Sequence, residues 1–143
     1  MDCVGWYRNG EKWMRLKDQI CSLEQANEIA GHVKLNTLWS WVILDGDDPD
    51  SARLILTEKS DLEDEECIII PAPTTAELGI LLLCHHYLVD WTGGKTFIRS
   101  RRSNMIEHVI KKHPWPKTEA QSRADAVIWL IKKGCINVED LKL

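Results

Sequence analysis

Several things are scarce in this sequence. It holds one Phe and two Tyr, and no stretch approaches the roughly 20 apolar residues needed to span a bilayer. No CxxC pair occurs among the five Cys, which stand at positions 3, 21, 67, 84 and 135. An odd, scattered set of this kind reads as reduced thiols, several of them buried as small apolar side chains. The first residues, Met1-Asp2-Cys3-Val4-Gly5, show neither the basic nor the apolar region of an export signal. The expectation is a cytoplasmic protein with no membrane attachment. An excess of positive charge is also lacking. A net charge of −4 and a pI near 5.7 argue against a strongly basic nucleic-acid module.

What is present is ordinary for a globular chain: 44% apolar and 28% charged residues in 143. That excludes wholesale disorder, collagen-like repeats and coiled coil. The length suits one core without help from disulfides or metal. No repeat, low-complexity run or linker interrupts it, so a single domain over 1–143 is expected. Trp is abundant, with seven copies.

Three segments have the spacing of capping boxes, in which a hydroxyl and a carboxylate or amide three residues later satisfy each other's backbone N–H. Ser22-Leu23-Glu24-Gln25 opens a helix over roughly 23–31. Thr74-Thr75-Ala76-Glu77 opens one from about 75 to 84, carrying Leu78, Leu81 and Leu82 with Ile80. Thr118-Glu119-Ala120-Gln121 opens the clearest, with Ala120, Ala124, Val127, Ile128 and Ile131 on one face and Gly134 at its end. The segment 37–44 is β-branched and aromatic and reads as a strand, with Trp39, Trp41 and Ile43 on one face. Asp45-Gly46 is a hairpin signal, and 52–57 pairs back. Cys67-Ile68-Ile69-Ile70 is a third strand, which Pro71 and Pro73 are expected to stop. Segments 86–91 and 95–100 read as strands joined at Gly93-Gly94, where glycine tolerates positive φ. Residues 105–112 fit either helix or strand, with strand favoured. The first 21 residues have no clean period and read as irregular or a short strand. The order is α-βββ-α-βββ-α, an α+β fold with helices packed on antiparallel sheet.

Some of these segments, taken together, carry a resemblance. The run Asp18-Gln19-Ile20-Cys21-Ser22-Leu23-Glu24-Gln25-Ala26 precedes the Trp39-x-Trp41 strand. Pro71-Ala72-Pro73-Thr74-Thr75-Ala76-Glu77-Leu78-Gly79 follows, and then the Arg123-Ala124-Asp125-Ala126…Trp129-Leu130 helix. From about residue 17 onward the chain resembles a group of small phage and prophage proteins to which no activity is assigned. The resemblance implies a mobile-element origin and an α+β fold, and it transfers no functional residue.

Candidate chemistry is thin. Thr92-Gly93-Gly94-Lys95-Thr96 looks like the end of a phosphate-binding loop, but that pattern requires glycine where Val89 stands. Cys84, His86 and His108 are the best metal-ligand set, yet they lack the short paired spacing of structural zinc sites. No activated nucleophile beside a His is visible. No enzyme activity and no cofactor is therefore expected.

Charge is unevenly placed. Between Asp45 and Glu66 ten acids face two bases, a local charge of −8 that includes Glu63, Asp64, Glu65 and Glu66. Between Lys95 and Lys117 the local charge is +6, with Lys95, Arg99, Arg101 and Arg102 clustered. Arginine neutralises phosphate, so Lys95 to Arg102 is the candidate nucleic-acid surface. The acidic run is ordinarily a solvated loop. Its sharper reading is a field that steers a basic protein partner, with Trp91 and Trp115 as anchors. The leading expectation is a non-enzymatic protein that binds a host or phage protein, with counter-defence inhibition as one such role; weak nucleic-acid binding is the alternative.

Overall fold

A computed structural model describes residues 6–9, 12–33, 35–44, 52–57, 67–111 and 115–137. A hairpin of β1 (Trp6–Asn9) and β2 (Lys12–Arg15) leads into a 3-10 turn, Leu16–Gln19, and then α1 (Leu23–Ala30). Three strands follow: β3 (Trp39–Leu44), β4 (Arg53–Leu56) and β5 (Cys67–Ala72). After α2 (Thr75–Cys84) come β6 (Tyr87–Thr92), β7 (Lys95–Ser100) and β8 (Ile106–Ile110), and α3 (Glu119–Lys132) ends the series. The expected α-βββ-α-βββ-α order is present. Both three-stranded sheets are antiparallel, in the orders β4-β3-β5 and β6-β7-β8.

Of the two readings of the first 21 residues, irregular or a short strand, the described part takes the second: β1 and β2 pair in register from Trp6↔Arg15 to Asn9↔Lys12. One correction concerns a strand. Pro71 does not stop β5, which runs through it to Ala72, with Pro71 opposite Ser40 on β3. β5 is an edge strand of its sheet, the place where a missing N–H is tolerated. The ambiguous 105–112 segment is strand, with His108 opposite Ile98. The Asp45-Gly46 turn lies outside the described residues.

The helix starts follow the capping chemistry. Ser22 accepts from the Gln25 N–H at 3.1 Å, and Gln25 Oε1 accepts from the Ser22 N–H at 3.1 Å. Thr74 and Glu77 do the same at 3.1 and 2.9 Å. The third box is half made. Thr118 accepts from the Gln121 N–H at 3.1 Å, but Gln121 Oε1 takes the Lys117 N–H at 2.8 Å instead of that of Thr118. Both complete boxes also bind distant chain. Gln25 Nε2 donates to Gln121 O and to Asp125 Oδ1, each at 2.7 Å, joining α1 to α3. Glu77 Oε2 accepts from the Leu38 N–H at 3.1 Å, joining α2 to the start of the first three-stranded sheet.

The core gathers around α3. This helix packs against α1, α2, β6 and β7. Its buried residues, Ala120, Ser122, Ala124, Ala126, Val127, Ile128, Leu130 and Ile131, spread well beyond one stripe. Facing β7, the buried hydroxyls of Ser122 and Thr96 lie 2.7 Å apart and satisfy each other. Trp129 stacks on His108 of β8, ring centroids 4.1 Å apart. Trp41 is buried and donates its indole N–H to Cys21 O at 3.3 Å, whereas Trp39 and Trp129 are only partly buried against the core. Cys21 lies deep among these groups, and burial pushes its thiol up to about 12.

Candidate docking surface

A groove follows the line where α2 meets β6. Because α2 turns back directly into β6, its N-terminal end lies near Trp91 and its C-terminal end near Tyr87 and Leu88. Near the N-terminal end is a cavity of about 580 Å³, lined by Asp18, Gln19, Thr75, Ala76, Trp91, Lys117, Thr118, Glu119 and Arg123. A second, of about 240 Å³, continues from it through Ala76 and Arg123 and is walled by Ile80, Leu83 and Leu88.

Arg123 is the pivot between the two. Its Nη1 donates to Thr75 O at 2.7 Å and its Nη2 to Glu119 Oε1 at 2.8 Å. The guanidinium lies directly over Gly79, where a Cβ would stand 2.5 Å from Nη1. Any side chain at position 79 therefore displaces Arg123. The cavity at Trp91 is otherwise lined mostly by polar side chains, whereas the stretch along the second cavity is apolar and open. Ile80 is 57% exposed, Leu83 42%, Leu88 40% and Trp91 39%. Large apolar side chains exposed side by side, rather than singly, mark interaction sites.

Trp91 and Trp115, the two expected anchors, have different surroundings. Trp91 stands at the cavity wall. Trp115 is half-buried, and its ring lies against Gly94, where a Cβ would come within 3.3 Å of it. Trp115 lines a neighbouring cavity of about 290 Å³ with Ser22, Glu24, Gln25, Glu28 and Asp125, and this cavity shares Lys117 with the one at Trp91. Glu63, Asp64, Glu65 and Glu66 lie outside the described residues.

The four basic residues are not gathered into one patch. Lys95 opens β7, and Arg101 and Arg102 sit in the turn beyond its other end, a strand length of about 20 Å away. Arg99 is ion-paired with Asp90 at 2.9 Å, and its Nε is buried. The Thr92-Gly93-Gly94-Lys95-Thr96 segment is a hairpin turn, with Gly93 and Gly94 at φ +60° and +78°.

The metal-ligand set also separates. His108 stacks on Trp129, while Cys84 and His86 line a cavity of about 390 Å³ together with His85, Arg102 and Cys135. Among the described residues no group of three or more His, Cys, Asp or Glu is placed to hold a metal ion. Burial, assisted by the adjacent Cys135 thiol, pushes the Tyr87 hydroxyl up. His86 stands at φ +68° where the chain leaves α2, a left-handed position more often filled by glycine.

Sequence reasoning missed Arg123, Gly79 and the exposed face of α2. One signal was available for the last: Thr75–Cys84 is apolar on all sides, a pattern that belongs to a helix covered all round. Among the described residues no helix is long and apolar enough to cross a membrane. No protein-family model, curated protein or solved structure matches the chain.

Proposed function

We propose that the chain is a non-catalytic protein-binding domain that docks a partner protein on the cavity at Trp91. The observation that carries this reading is Trp91 itself. A large amphipathic ring is held 39% exposed on the wall of a concave surface, between an apolar stripe and the charged pair Arg123–Glu119. Trp in such a position supplies much of the affinity at protein interfaces, because it brings a large contact area with few rotatable bonds. The resemblance to phage proteins makes a host or phage protein the partner and the bacterial cytoplasm the compartment. Counter-defence inhibition is the role we favour, with the acidic run through Glu63, Asp64, Glu65 and Glu66 steering encounter with a basic partner.

The test is affinity capture from bacterial lysate with the wild-type chain and Trp91→Ala side by side. A protein retained by the wild type and lost with Trp91→Ala supports the reading. Equal retention by both, or no specific protein with either, contradicts it. Nucleic-acid binding has weaker support, since Arg99 is already ion-paired and Lys95 stands apart from Arg101 and Arg102.

A further inference from the structure

We propose that the open edge of β6 pairs with β6 of a second copy of this chain, antiparallel about a two-fold axis at Val89. Among the described residues β6 is an edge strand, bonded to β7 on one side only. In an antiparallel ladder, residues that exchange hydrogen bonds alternate with residues that do not. The Arg101 N–H donates to His86 O at 2.9 Å, which fixes the phase. His86, Leu88, Asp90 and Thr92 therefore direct their amides to β7. Tyr87, Val89 and Trp91 direct theirs to the open side, where no hydrogen bond among the described residues engages them.

These three residues are symmetric about Val89. With Val89 opposite Val89 of the second copy, Tyr87 faces Trp91 and Trp91 faces Tyr87. All six outward N–H and C=O groups of each copy are then satisfied by one isologous contact. Centring on Leu88 or on Asp90 leaves one of the three residues of each copy without its opposite. Charge excludes the second of these as well, because it sets Asp90 against Asp90. In the Val89 register Asp90 keeps its own Arg99 and lies beside Leu88 of the second copy.

The same axis explains the uncovered side of α2. Ala76, Ile80 and Leu83 follow one another at i, i+4 and i+7, so they form a stripe, and all three are exposed. The stripe borders the groove beside β6, so pairing the edges brings the two α2 stripes toward each other across the junction. With Gly79 and the six residues of β6 this makes about ten residues a side, half or less of the ~20–30 of a standard interface. The dimer is accordingly weak, with a dissociation constant between about 1 µM and about 1 mM. The pairing uses the strand that carries Trp91, but the two proposals are tested apart: a chain that stays monomeric and still captures a partner overturns the pairing alone.

The test is sedimentation velocity of the full chain from about 1 µM to about 1 mM. It is run with reductant, because Cys84 and Cys135 are exposed and free to cross-link copies. The wild type is expected to pass from monomer to dimer. Val89→Pro removes one outward N–H and leaves the β7 ladder bonds in place, so it is expected to remain monomeric. Ile80→Lys, at an exposed position, is expected to raise the dissociation constant by about tenfold or more. If Val89→Pro unfolds the chain, wild-type amide exchange decides in its place, with Tyr87, Val89 and Trp91 exchanging more slowly at high concentration. A wild-type monomer at every concentration overturns the proposal. So does a dimer indifferent to Ile80→Lys, or one whose formation leaves these three amides unprotected.

Discussion

The helices α2 and α3 pack against each other, yet their sequences and their burial run in opposite directions. α3 mixes Glu119, Gln121, Arg123 and Asp125 with apolar residues, and it is buried over eight of its fourteen positions. α2 is apolar nearly throughout, and only Leu78, Leu81 and Leu82 are buried. The difference is one of placement. α3 lies between α1 on one side and β6 and β7 on another, so small residues such as Ala124 and Ala126 are enclosed from several directions. α2 has the core on one side and nothing described on the other. Apolar composition beyond what the fold covers marks a surface that serves contact rather than folding.

The sharpest way to break this contrast is truncation. Leu130→Ala in α3 empties a fully buried site and is expected to cost about 2–5 kcal/mol in denaturant unfolding. Leu83→Ala in α2 removes a side chain already 42% exposed and is expected to cost well under half as much. Equal losses would show that the outer face of α2 is covered within one chain. Next in size is Ser122→Ala. It strands the buried Thr96 hydroxyl 2.7 Å away, and about 1–3 kcal/mol of stability should go with it. An unchanged midpoint would mean that Thr96 finds another partner.

At neutral pH the remaining effect is silent; it is one of pH and concerns Cys21, packed where α1, β3 and α2 meet. Its folded thiol is raised from 9.0 to about 12, so the folded chain holds a proton that the unfolded chain releases. Stability from this group is therefore complete below pH 9 and is lost as pH rises from 9 toward 12. Thiol labelling at pH 8 should accordingly modify exposed Cys84 and Cys135 and spare Cys21 until the chain unfolds. Rapid labelling of Cys21 in the native state would contradict its enclosure.

How much of this was readable beforehand follows the range of the interactions. Ser22 with Gln25 and Thr74 with Glu77 are contacts over three residues, so their helices start where the spacing places them. Gly93-Gly94 likewise needs only local backbone chemistry to make its turn. Pro71 misled because its tolerance depends on β5 being an edge, which is set by pairing with β3 and not by neighbours in the chain. The β1–β2 segment shows no alternation in sequence, since Trp6 and Tyr7 are adjacent and Trp13 and Met14 stand together between Lys12 and Arg15. The candidate docking surface was the least legible part. Trp91 was singled out as a residue type enriched at interfaces, whereas the exposure of Ile80 and the seating of Arg123 over Gly79 arise only once α2 lies against α3 and β6.

The most direct test of the central claim, that the outer face of α2 is reserved for contact, is the unfolding free energy of the double variant Ile80→Lys, Leu83→Lys. The predicted result is a change within about 0.5 kcal/mol of wild type, as for surface sites away from any packed feature. A loss of about 2 kcal/mol or more, the size expected when charge enters a packed interior, would show that the chain itself covers this face.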